Sequence, residues 1–224
     1  MKEMMKNLFI IDHPLVKHKL SKLRSKTTNK KVFKELIEEI AIIETYEATS
    51  DIPMYSQGIE TPLCKTDANF VDEKKITIVP ILRAGLGMIP GVWKMLPNAR
   101  IEHIGLYRNE ETLEPVEYYT KISPNLSGRR FIIIDPMIAT GGSICKVLDT
   151  IMSMGGVNIK VIAIIVAPEG IRHIHAKFPQ VPIYAAALDD HLDVHGYIVP
   201  GLGDAGDRIF GTLNEEPAPA DHSV

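Results

Sequence analysis

From Lys75 onward the chain alternates short, continuously apolar runs with stretches of helical period, and few folds accept that pattern. The runs suited to buried strands are Ile76–Leu82, Ile101–Leu106, Phe131–Ile134, Ile159–Ala167 and Val181–Leu188. They are apolar throughout rather than at every second residue, so both faces of each strand are expected to be covered. Between them, Leu86–Leu96, Ser143–Met154 and Glu169–Phe178 read as helices. In the second of these Ile144, Val147, Leu148, Ile151 and Met154 share one face, and Gly155-Gly156 supplies a stop. Strands alternating with helices imply an α/β fold, a parallel sheet flanked by helices, with ligands bound at the carboxyl ends of the strands. The N-terminal third reads as helical. Within Lys31–Thr45 the residues Phe33, Leu36, Ile37, Ile40 and Ile43 recur at helical spacing as one buried stripe.

Composition narrows the function classes. At 224 residues and 45 % hydrophobic, the chain can bury a sizeable core as one folded domain. A formal net charge of −3 gives no electrostatic reason to expect a nucleic-acid partner. No apolar run approaches the roughly 20 residues that cross a bilayer, so no membrane partner is expected. Leu8–Ile11 is too short for the core of a signal peptide. Cys64 and Cys145 cannot make a disulfide framework, and a reducing, cytoplasmic location is the expectation. The lysines from Lys17 to Lys34 read as a solvated helical face. One connection, Tyr107–Arg130, is unusually long; Pro115 interrupts it and Val116–Ile122 is rich in strand formers. A β-arm or flap fits, against the plainer reading of a passive surface hairpin.

The chemistry concentrates in Phe131–Ser143. The strand Phe131–Ile134 runs into Asp135, then Pro136-Met137-Ile138-Ala139, then Thr140-Gly141-Gly142-Ser143, where a helix opens. A helix N-terminus presents unpaired N–H groups and the positive end of the dipole to an anion. Gly141 and Gly142 let the backbone approach it closely, and Thr140 and Ser143 add hydroxyl donors. Asp135 repels phosphate, so its partners must be sugar hydroxyls or, through water, a metal. An acid beside an anion loop suggests a ligand with both ribose and phosphate. The plainer alternative is a helix cap behind a solvated strand-end acid. Two familiar nucleotide motifs do not apply. The loop lacks the Gly-Lys-Ser/Thr of a Walker A motif, and Gly201-Leu202-Gly203-Asp204-Ala205-Gly206 matches GxGxxG with too little chain after it for a βαβ unit.

FIIIDPMIATGGS resembles the phosphoribosyl-pyrophosphate signature of type I phosphoribosyltransferases: apolar strand, acid, short loop, TGG. Many members have two adjacent acids, and Pro136 in place of the second resembles the uracil phosphoribosyltransferase branch. Asp12–Leu20, Val79–Met88, Tyr107–Thr112, Ala167–Gly170 and above all His195–Thr212 (HGYIVPGLGDAGDRIFGT) are similar to that branch as well. The resemblance implies conversion of uracil and phosphoribosyl pyrophosphate to UMP and diphosphate, with Mg2+ carried mainly on the sugar substrate and no dedicated protein metal site. It implies that Asp135–Ser143 holds the ribose and 5-phosphate and that Arg83 and Arg108 contact the diphosphate-bearing substrate. It further implies that Ile198 and Gly203-Asp204-Ala205 frame uracil, with Asp204 also close to the sugar. Arg108 and Asp204 are the catalytic candidates. A single domain over about residues 1–212 is implied, with a flap at about 107–130, a hood at about 188–212 and a flexible tail at 213–224. A homo-oligomer, dimer or tetramer, and GTP as an effector are further implications.

Tyr197 and Met137 are candidates to pack on the base, with core filling as the alternative. The branch usually has Asn-Glu where this chain has Asp193-Val194, which removes one polar side chain there. His191, Asp193 and His195 alternate, but solvated side chains are a better reading than a metal site. The competing functional readings are a purine phosphoribosyltransferase and a non-catalytic nucleotide- and RNA-binding regulator on the same fold.

Overall fold

The computed structural model describes residues 6–108, 115–124 and 126–212, without the side chains of Arg108 and Pro115. The chain opens with strand β1 (Leu8–Ile10) and helices α1 (Pro14–Arg24) and α2 (Lys30–Ala48). A hairpin follows, β2 (Met54–Glu60) and β3 (Lys65–Val71), then β4 (Ile76–Leu82), a 3-10 turn Ala84–Gly87 and α3 (Ile89–Met95). Next come β5 (Arg100–Ile101), β6 (His103–Arg108), β7 (Pro115–Lys121), β8 (Arg130–Ile134) and β9 (Met137–Ile138). The chain continues through α4 (Gly142–Ser153), β10 (Asn158–Val166), α5 (Pro168–Lys177), β11 (Ile183–Leu188), β12 (His191–Leu192), β13 (Ile198–Val199) and α6 (Ala205–Phe210).

The main sheet runs β1-β11-β10-β8-β4-β6-β7, with β5 beside β4 and β9 beside β10. Its pairs are parallel except β6–β7, which is antiparallel at the edge. The continuous apolar runs have the predicted cause. On β8, Ile132 and Ile134 join a core with α1, α2 and α3, while Phe131 and Ile133 join a second core with α4 and α5 on the other face. At about 25 cal/mol per Å2 of apolar surface removed from water, those two layers supply most of the drive to fold. Among the described residues no helix is long and apolar enough to cross a membrane.

Three expectations need correction. The N-terminal third is not helical throughout, because Met54–Val71 is the β2–β3 hairpin, exposed along almost its whole length. With so little of either face against the core, its sequence carries neither strand nor helix periodicity. The α2 stripe is also displaced: Ile43 is only half-buried, and Glu44 lies on the buried face at 0 % exposure. Met154 closes the α4 face in sequence but is 37 % exposed, since the helix ends at Ser153 and turns through Gly155 at φ +90°. The expected arm exists as the β6–β7 pair, whose tip lies outside the described residues, as does the tail from residue 213.

Candidate active site

The site is assembled where β8 stops. Past Ile134 the chain stays pinned to β10: the Asp135 N–H donates to the Ile162 carbonyl (3.2 Å), and the Pro136 carbonyl accepts from Ile164 and Ile165 (3.0 and 3.1 Å). Pro136 is therefore buried in the sheet margin. β9 continues the alignment, with the Ala167 N–H donating to the Ile138 carbonyl at 2.9 Å. The chain then turns through Gly141, the N-cap of α4, at φ +80°. A side chain there would be strained, and its Cβ would stand 2.7 Å from the Gly170 carbonyl oxygen. Among the described residues no side chain caps α4, and no acid sits in its first turn, so its N-terminus meets the cleft with the positive end of the helix dipole. His173 on α5 steadies the loop, its Nδ1 donating to the Thr140 carbonyl at 2.9 Å.

Opposite stands the C-terminal segment. Asp204 caps α6, its Oδ1 accepting from the Asp207 N–H at 2.8 Å. The cleft between loop and segment is about 400 Å3. Of the sequence candidates, Asp135, Met137, Ile138, Ala139, Thr140, Gly141, Ser143, Asp204 and Ala205 line it, and Tyr197 does too. Pro136, Gly142, Ile198 and Gly203 do not line it; Ile198 is 5 % exposed and packs into the core. Arg83 stands beside the cleft, 3.8 Å from the Asp207 carboxylate and over the Phe210 ring at 6.0 Å. Arg108 ends β6, and its side chain lies outside the description. Ala84, Ile144, His195, Gly196 and Gly206 also line the cleft. Sequence reading missed them as site residues, although all but Ile144 lie inside motifs that carried the resemblance.

Electrostatically the cleft floor is set by one acid. Burial pushes the Asp135 carboxyl up to about 7; the Met137 N–H (3.4 Å) opposes that rise and the Asp204 charge adds to it. Two carboxylates that raise each other's cost suit a ligand bringing hydroxyl donors or a cation. Among the described residues no three His, Cys, Asp or Glu side chains converge as a metal cage. Asp193 instead organises a turn, its Oδ1 accepting from the His195 and Tyr197 N–H groups at 2.9 and 2.8 Å. A second cleft, about 230 Å3, lies at the amino ends of β8 and β10 around Arg130 and Lys160. Lys160 is already bound to Asp51 and to the Ala48 carbonyl, and the loop Asp135–Ser143 is at the other end of these strands.

A largely parallel sheet flanked by helices, with a glycine-bearing loop at a strand end facing a C-terminal segment across a cleft, has the topology of the type I phosphoribosyltransferase class. The fold alone is shared with adenine phosphoribosyltransferase from Trypanosoma brucei, at TM-score 0.54 and 16 % identity over 88 % of each chain. A solved Aquifex aeolicus protein matches far better, at TM-score 0.87 and 37 % identity over 91 % of this chain and 97 % of its own. The model of the uracil phosphoribosyltransferase family matches residues 10–212, and the chain belongs to that family. Uracil phosphoribosyltransferases from Clostridium botulinum (strain Eklund 17B) and Thermoanaerobacter sp. (strain X514) are 54 % and 51 % identical to it. Each comparison covers 93 % of this chain and all of the relative.

Proposed function

We propose that the protein transfers the 5-phosphoribosyl group of phosphoribosyl pyrophosphate to N1 of uracil, giving UMP and diphosphate. One observation carries the reading: the uncapped α4 N-terminus and Asp135 face Asp204 and Ala205 across a single cleft. The loop Asp135–Ser143 takes the 5-phosphate on its amides and hydroxyls, and Asp135 takes the ribose hydroxyls. Asp204 and Ala205, which line the cleft, are assigned to the base together with the backbone of Ile198 and Gly203 set behind them. A donor and acceptor pattern fixed by backbone rejects an exocyclic amine in place of the uracil 4-oxo group.

As uracil N1 bonds to the anomeric carbon, the bond from that carbon to diphosphate breaks. Positive charge develops on the ribose and negative charge on the leaving group. Arg83 and Arg108 are assigned to the diphosphate, where a guanidinium counts most in the transition state. Closure of the β6–β7 arm would bring in Arg108 and exclude water. Alignment of N1 with the anomeric carbon contributes up to about 7–11 kcal/mol in favourable systems. Asp204 is the candidate acceptor for the N1 proton. Asp135 and Asp204 fit Mg2+ arriving on the sugar substrate, since hydrated Mg2+ is held by one or two carboxylates plus substrate phosphates rather than by a protein cage. When bound it neutralises diphosphate charge.

The rest of the reading is a single catalytic domain in the cytoplasm that works as a homo-oligomer and responds to GTP. The hairpin β2–β3 supports the oligomer, because Tyr55, Leu63 and Phe70 stand exposed on it. Incubation with Mg2+, phosphoribosyl pyrophosphate and either uracil or a purine base, with and without GTP, tests the assignment. Turnover of the purine but not uracil rejects it.

A further inference from the structure

Beneath the segment assigned to the base lies a partly buried ion pair to which neither the sequence motifs nor the proposed chemistry gives a role. Asp189 follows β11 and is tied to the sheet, its N–H donating to the Val166 carbonyl at the end of β10 (2.9 Å). Its side chain is 2 % exposed. One oxygen, Oδ2, accepts the Gly201 N–H at 2.9 Å and an Arg24 N–H at 2.7 Å, while Oδ1 takes the second arm of the Arg24 guanidinium. Arg24 closes the figure by donating to the Gly201 carbonyl at 2.7 Å. Both polar groups of Gly201 are thus held by a charged pair anchored on the sheet and on α1.

The position of that grip matters. Gly201 sits between Ile198 and Gly203–Ala205, the two stretches assigned to the base, at φ +64°. A Cβ there would meet the Ile198 carbonyl oxygen at 2.1 Å, so the turn folds Gly201 directly against the first of those stretches. The next carbonyl, Leu202, is held by Arg208 (2.7 Å), which also binds the Leu23 and Ser25 carbonyls at the end of α1. A surface loop of this composition would ordinarily sample many conformations. Here its centre is fixed by charge-assisted bonds, the stronger class.

We infer that the Arg24–Asp189 pair is a positioning device for uracil: it fixes Gly201 so that the backbone groups of Ile198 and Gly203–Ala205 are preorganised for the base. Arg24 and Asp189 touch no substrate; they act through the loop. The inference rests on the proposed reaction and adds to it the residues that set base affinity. Its signature is selectivity between substrates, because the phosphate loop hangs from β8 and α4 and not from Gly201.

The test is steady-state kinetics of the full chain with both substrates varied, for wild type, Arg24→Lys and Asp189→Asn. Lysine keeps the charge but cannot span Asp189 and the Gly201 carbonyl together. Asparagine can still accept the Gly201 N–H but loses the ion pair, and it reports should the first variant not fold. The expected result is a KM for uracil raised by about tenfold, the equivalent of one charge-assisted hydrogen bond. The KM for phosphoribosyl pyrophosphate should stay within about twofold, since additivity fails only between groups in contact. Normal wild-type turnover with an unchanged uracil KM in the folded variants, or with both KM values raised equally, overturns the inference alone. Wild type that forms no UMP overturns the reaction and the inference together.

Discussion

A Cβ on Gly170 would stand 2.3 Å from the carbonyl oxygen of Ala139. The first turn of α5 therefore presses directly on the loop Asp135–Ser143, and Gly141 on that loop returns the contact against the Gly170 carbonyl. Backbone meets backbone on both sides, so neither position accepts a Cβ without a backbone shift. Gly170→Ala must displace the loop. We expect the KM for phosphoribosyl pyrophosphate to rise more than about tenfold, in line with the sensitivity of rates to ångström misplacement. Far-ultraviolet circular dichroism should stay native. Wild-type kinetics in a folded Gly170→Ala variant would show that the loop tolerates the shift.

Asp135 links the cleft to pH. Burial raises its carboxyl to about 7 in the folded protein, against an ordinary value near 3.8 in the unfolded chain. Between those values the native state holds the extra proton, so stability falls as pH rises through that window and the loss is complete above about 7. Asp135→Asn removes the penalty. The variant should melt higher than wild type at pH 8 and equal to it below pH 3.5, while using phosphoribosyl pyrophosphate poorly. Calorimetry at the two pH values checks the sign; a gain at low pH only would refute the assignment.

Glu44 is a second stored cost, far from chemistry. Among the described residues neither of its oxygens has a partner of hydrogen-bonding geometry, and burial drives its carboxyl well above the usual range, opposed by the Ala186 backbone. The group enters the fold protonated, and its destabilising effect grows as pH rises above its ordinary value of 4.5. Glu44→Leu, of similar volume, should stabilise the protein by about 1–3 kcal/mol at neutral pH, the cost of an unsatisfied buried polar group. The gain should shrink near pH 4. Urea melts at both values decide it, and a loss of stability at neutral pH would mean the carboxyl is satisfied.

Arg108 carries the prediction about the flap. If it meets the leaving diphosphate only on closure, Arg108→Ala should lower kcat by about 10²–10³, the scale for losing one transition-state donor. Thermal stability should not change. Equal kcat in the two proteins would remove Arg108 from the mechanism.

The central sheet was legible because β4, β8, β10 and β11 are covered on both faces, which forces unbroken apolar runs. The strand–loop–helix unit at Phe131–Ser143 was legible because strand, acid, loop and helix start are contiguous in the chain. Three features were not. The β2–β3 hairpin projects from the core and has no apolar period to detect. The Arg24–Asp189 pair joins residues 165 apart, and nothing local marks either as a partner. Glu44 failed for a third reason: an acid on a helix is assigned to solvent by default, and here the geometry of α2 placed it inside.

The most direct test is the base selectivity of the purified protein. With Mg2+ and phosphoribosyl pyrophosphate in excess, uracil should yield UMP and diphosphate in equal amounts, and hypoxanthine, guanine and adenine should yield no nucleotide. Nucleotide formed from a purine, with none from uracil, would contradict the account.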